Sequence, residues 1–77
     1  MNEPRREVEI RYANSFRTGY NRDEFVIELG QCFEGKEIFY CSLVCTPPHA
    51  QELFRLLGRS LDGYREEYGP IPEPEVD

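Results

Sequence analysis

The chain has 77 residues, 39% of them hydrophobic, with five Phe, five Tyr and a formal net charge of -6. That allows one domain with a thin core, because a chain this short buries only about 60% of its unfolded surface, and it is too aromatic for a disordered segment. The acids gather at the end: residues 66–77 hold Glu66, Glu67, Glu73, Glu75 and Asp77 with no Lys or Arg. This leaves no basic stripe of the kind nucleic-acid binding needs, and no run approaches the ~18 apolar residues of a membrane span.

Residues 1–6 form a charged, flexible lead-in with no apolar stretch behind it, so no signal peptide is expected. Three cysteines, an odd number, fit free thiols in a reducing cytoplasm. The first element follows. Val8, Ile10, Tyr12, Asn14, Phe16, Thr18 and Tyr20 alternate with Glu7, Glu9, Arg11, Ala13, Ser15, Arg17 and Gly19. Period 2 predicts a long strand over residues 8–20 with a dry face and a wet face. It is about twice the usual length, so it has to bend or pair with another copy. Arg5, Arg6, Arg11 and Arg17 read as solvated edge charges, the other reading being contact with an acidic partner such as the tail of another copy.

Residues 19–23 supply turn chemistry, with Asn21 and Asp23 suited to Asx turns. A second strand is predicted over about 24–31, with Phe25, Ile27 and Leu29 facing in and Glu24 and Glu28 facing out. Glu34-Gly35 reads as a two-residue hairpin turn. On the third strand, residues 36–46, alternation puts Phe39, Cys41, Leu43 and Cys45 on one face and Ile38, Tyr40 and Val44 on the other. A strand apolar on both sides is expected to be covered on both. One helix can cover only one, which leaves the second for another subunit.

Thr46-Pro47-Pro48-His49 opens the helix, with Thr46 suited to the N-cap and proline tolerated in the first turn. Ala50, Leu53, Phe54, Leu57, Leu61, Tyr64 and Tyr68 recur at spacings of three and four and make one apolar stripe. Leu57, mid-stripe, is an expected core position. Gly58 and Gly63 either admit the close approach of a second helix or strand or are tolerated weak points. Gly69-Pro70 ends the helix. The domain therefore spans 7–71, followed by an acidic, Pro-rich tail at 72–77. That tail is either a solubilising end or a recognition peptide.

Catalytic chemistry finds little support. Cys41, Cys45 and His49 are four apart, but four strand residues span ~13 Å, too far for two sulfurs to reach one zinc at about 2.3 Å. A Cys-His nucleophile would need Cys32 or Cys45 beside His49, whose place at a helix start suits capping or packing. Glu24 and Glu28 are too far apart on one strand for acid/base work. No phosphate loop, Ser-His-Asp set or Walker-type lysine is present. No catalytic residue, cofactor or metal ligand is expected.

Four patches occur in order: Arg11-Tyr12-Ala13-Asn14; Glu24-Phe25-Val26-Ile27-Glu28-Leu29; Thr46-Pro47-Pro48-His49-Ala50; and Leu57 through Tyr64 to Tyr68-Gly69-Pro70-Ile71. Together, over about residues 10–71, they resemble the small prokaryotic family of unknown function DUF3467. The chain departs at Ser60, where that family often has Asn, and in its short hairpin at 31–36. The resemblance implies a fold and no activity.

The expected object is an α+β protein, β-β-β-α, with a three-stranded antiparallel sheet (long first strand) and one C-terminal helix, assembled as a dimer. Its expected role is a non-enzymatic, cytoplasmic, homo-oligomeric module that binds an unidentified protein partner and neither nucleic acid nor membrane. Ile38, Tyr40, Val44, Gly58 and Gly63 are the candidate interface. The alternative is a binder of extended polypeptide, using aromatics such as Tyr20, Phe33 or Tyr40, by architectural analogy with the SecB-type export chaperones.

Overall fold

In the computed structural model, which describes residues 8–74, the elements run β1 (Ser15–Tyr20), β2 (Phe25–Phe33), β3 (Lys36–Cys45) and α1 (Pro47–Tyr68). The strands make one antiparallel sheet in the order β1-β2-β3, followed by the single helix, as the sequence predicts. The lead-in at 1–6, Glu7 and the last three tail residues lie outside the described residues.

Both turns follow from local chemistry. The Asn21 side-chain carbonyl accepts from the backbone N–H of Asp23 (2.8 Å) and Glu24 (2.9 Å), while the Asn21 N–H donates to the Glu24 carbonyl (2.9 Å). That is the Asx turn expected. Between β2 and β3, Glu34 (φ 52°) and Gly35 (φ 77°) are both left-handed. This is the pair of positive φ values a two-residue hairpin turn of matching twist requires.

The first strand is shorter than its alternation predicts: β1 begins at Ser15. Asn14 ends the pairing. Its side-chain amide donates to the Cys32 carbonyl (3.1 Å) and accepts from the Cys32 N–H (2.7 Å), while its own N–H donates to the Gly30 carbonyl (3.0 Å). A side-chain amide thus takes the ladder position a further backbone residue would hold. The chain upstream turns away, and the Tyr40 hydroxyl donates to the Tyr12 carbonyl.

A second departure changes which residues share a face. The β2–β3 register shifts between Leu29 and Gly30: Leu29 pairs with Cys41, but Gly30 pairs with Phe39 and Gln31 with Ile38. Tyr40 is the extra residue of a β-bulge. The shift sends Phe39 to the face of Val26, Glu28, Ser42 and Val44, and brings Ile38 to the face of Leu29, Cys41, Leu43 and Cys45. The expected division of the third strand into two apolar sides is therefore corrected. One face collects Phe16, Tyr20, Phe25, Ile27, Leu29, Ile38, Cys41, Leu43 and Cys45. The other is mostly polar. On it Arg17 donates to Glu28 (2.8 Å) and lies 4.0 Å from the Phe39 ring centroid, and Ser15 donates to Glu37. Gly30 makes the bulge fit: a Cβ there would sit 2.9 Å from Phe39 Cα, closer than real Cβ atoms approach backbone.

The helix keeps its predicted bounds. The Ala50 N–H donates to the Thr46 carbonyl, and the Gly69 N–H, at φ 93°, donates to the Arg65 carbonyl, each at 2.9 Å. Its start differs in one detail. The Thr46 side chain caps no backbone N–H and instead lies 3.3 Å from His49 Nδ1.

The helix does not fold back on the sheet. Extensive contact between elements is confined to β1 with β2 and β2 with β3. No residue of the helix is buried, and Leu57, expected in a core, is 56% exposed. Among the described residues no apolar side chain is buried; Ser15 and Gly30 alone are. The accessible surface is 7566 Å², against about 4,900 Å² expected for a folded monomer of 9.1 kDa. The radius of gyration is 15.7 Å, against about 11–12 Å for a compact domain of this length.

Candidate interaction surface

The apolar sheet face and the helix stripe look into the same space. The angle between them opens on a cleft of about 500 Å³ lined by Phe25, Pro47, Pro48, Ala50, Gln51 and Phe54. Phe25 belongs to the sheet face, while Ala50 and Phe54 belong to the helix stripe. The short link explains the divergence. Thr46 alone separates β3 from α1, and it is extended (φ -77°, ψ 159°). The residue before a proline favours this conformation, and Pro47 and Pro48 hold their own φ near −65°. The link thus carries the chain out of the sheet without reversing it.

Two smaller clefts border the same sheet face. One, about 320 Å³, is lined by Glu9, Arg11, Ala13, Leu29, Tyr40 and Cys41. Another, about 300 Å³, involves Arg11, Gln31, Phe33, Lys36, Ile38 and Tyr40. Tyr40 lies between them, its ring 4.0 Å below the Arg11 guanidinium and its hydroxyl tied to Tyr12. The segment leading into β1 therefore passes over the lower part of the apolar face and covers it in part. The upper part, around Phe25, Ile27 and Leu43, is left to the open wedge. Tyr20 stacks on Phe25 at its rim, centroids 5.6 Å apart.

The candidate interface residues separate. Ile38 and Tyr40 lie on the apolar face. Val44 lies on the opposite face, paired with Val26. On the helix, at 100° per residue, Gly58 is about 80° and Gly63 about 140° from the line through Ala50 and Tyr68. Gly58 thus flanks the stripe and Gly63 lies behind it, each with open space around it. Sequence reasoning had Phe25, Ile27 and Leu29 facing in and placed Leu43 on one covered face of the third strand; none of the four was named as a candidate interface residue. Gly30 it missed, although a glycine inside a strand pattern is a signal for a bulge.

The groups with chemical potential do not converge. Cys41 and Cys45 share the apolar face with Leu43 between them, and all three cysteines are free thiols. Glu28 is engaged by Arg17. Among the described residues no three His, Cys, Asp or Glu side chains cluster to hold a metal ion, and no helix is long and apolar enough to cross a membrane. No family model, curated protein or solved structure matches the chain.

Proposed function

We propose that this protein is a non-enzymatic interaction module that acts as a homo-oligomer and presents a surface to another protein. The observation that carries this reading is the absence of any buried apolar side chain among the described residues, in a chain whose helix stripe and sheet face are both strongly patterned. Patterned apolar faces left open mark interaction sites, and burial of such surface is the main favourable term in folding. Light scattering at micromolar concentration tests the oligomer: a mass of at least twice 9.1 kDa supports it, and a monomer with a cooperative melt removes it. Affinity capture from the native host, followed by binding of the purified candidate, tests the protein partner. One tight, saturable partner is expected.

A second reading is a holder of extended polypeptide. It is favoured by aromatics standing in solvent, Tyr20 at 80% and Phe33 at 70% exposure. A fluorescent unfolded polypeptide would then bind weakly and with little sequence preference. Absence of binding at tens of micromolar protein would dismiss it.

A further inference from the structure

We infer that the wedge between sheet and helix is filled by a second copy of this chain, in a helix-exchanged dimer: the α1 stripe of each protomer lies on the apolar sheet face of its partner. This deepens the reading above and rests on its homo-oligomer.

Three observations choose this occupant. The helix does not lie on its own sheet face: extended Thr46 and the two prolines that follow lead it away. The same surface is therefore available to another chain, and each chain brings one helix stripe and one sheet face. Such a pair is self-complementary and closes under a two-fold axis. The dimensions also agree. The 22-residue helix spans about 33 Å at 1.5 Å per residue, and the ten-residue β3 spans about 33 Å at 3.3 Å per residue. Finally, the area agrees. The chain exposes roughly 2,700 Å² more than a folded monomer of its mass. Part of that excess lies in the segments outside the sheet and helix; burying even half of it on each of two protomers would remove roughly 2,700 Å², within the range of obligate homodimers. A bound extended peptide would cover the sheet face but leave the helix stripe bare.

The exchange makes a prediction that other dimers do not. Leu57→Asp spoils the helix stripe, and Leu43→Asp spoils the sheet face. In an exchanged dimer each variant alone has both interfaces damaged. A heterodimer of the two keeps one intact interface, the normal helix of the Leu43→Asp chain on the normal sheet of the Leu57→Asp chain. If instead sheet packs on sheet and helix on helix, each variant homodimer keeps one undamaged interface, and in the heterodimer both interfaces carry one damaged side, so mixing restores nothing. The two chains are co-refolded from denaturant, separately and at equimolar ratio, and weighed by light scattering. Monomer or aggregate alone with a heterodimer on mixing is the expected result; no heterodimer overturns the exchange. A second measurement uses the wild-type chain. In a mixture of isotope-labelled and unlabelled protein, cross-chain NMR contacts are expected between the methyls of Leu53, Leu57 and Leu61 and those of Ile27 and Leu43. Finding those contacts only within a chain, or finding helix-to-helix contacts alone across chains, defeats the exchange while leaving the homo-oligomer standing. A wild-type monomer defeats both, and a monomer that dimerises or binds only with added unfolded polypeptide assigns the wedge to a peptide.

Discussion

The β2–β3 hairpin and the helix are built on different terms. The hairpin is held within the chain, by nine register pairs, a two-residue turn and a bulge that a glycine accommodates. The helix has its own backbone hydrogen bonds and a few local side-chain contacts, Arg65 donating to Asp62 (3.1 Å) and Tyr64 against Tyr68. In proteins most of a helix's stability comes from packing its apolar face, and Gly58 and Gly63 weaken this one by about 1 kcal/mol each relative to Ala. Yet it carries the most regular apolar stripe in the chain. The sheet is thus specified locally, while the helix stripe, the surface that the proposed dimer would use, makes no extensive contact with another element of its own chain.

The largest expected effect breaks or keeps that contrast. Leu57→Ala should cost about 2–5 kcal/mol if a partner covers the stripe, and little if the helix stands free in solvent. Thermal melts at one protein concentration read the difference, since an oligomer's midpoint depends on concentration. A midpoint unchanged by Leu57→Ala would mean that the helix stripe is as open in solution as its 56% exposure in the single chain implies.

Gly30→Ala tests the hairpin. The added Cβ meets the Phe39 backbone and ring, so the bulge has to move, at a cost of about 1–3 kcal/mol. For a domain this size that is a drop in Tm of about 4 °C or more. A variant melting with the parent would show that the strand slips to an unbulged register, and hydrogen exchange at Phe39 and Tyr40 would report the slip.

Asn14→Ala removes two hydrogen bonds to Cys32 at an exposed site, worth about 1 kcal/mol together given their exposure. Faster amide exchange at Cys32 and a small fall in Tm are expected. Unchanged protection at Cys32 would mean that the strand pairs on past Ser15 without the side chain.

The smallest effects sharpen the picture of the helix. Gly63→Ala, behind the stripe, should stabilise by about 1 kcal/mol. Gly58→Ala, flanking the stripe, should gain less, because a partner helix or strand close by would meet the new methyl. Equal gains at both sites in the melt would mean that nothing approaches Gly58.

Much of the architecture can be read in the residues themselves. Asn21 and the Glu34-Gly35 pair announce the two turns, and Pro47 and Gly69 bracket the helix, because these are local conformational requirements. The division of β3 between faces was not legible. Counting by twos assumes an unbroken ladder, and one inserted residue at Tyr40 reverses everything on one side of it. The early end of β1 was hidden for a related reason. Asn14 fits the alternation as a letter but acts through its amide on Cys32. The apolar positions of the candidate surface were identified; what covers them was not, because a period of 3.6 or 2 marks the dry side of an element without saying which chain keeps it dry.

The bulge at Tyr40 has a consequence for solubility. With strand order β1-β2-β3, β3 is an edge strand of ten residues, long enough to template the addition of further chains into a growing fibre. An inserted residue twists the strand and interrupts the even row of outward-facing N–H and C=O groups that a new strand would need. Lys36 adds a charge at the strand's start. A chain with this much apolar surface in the open thereby blunts its most adhesive backbone edge.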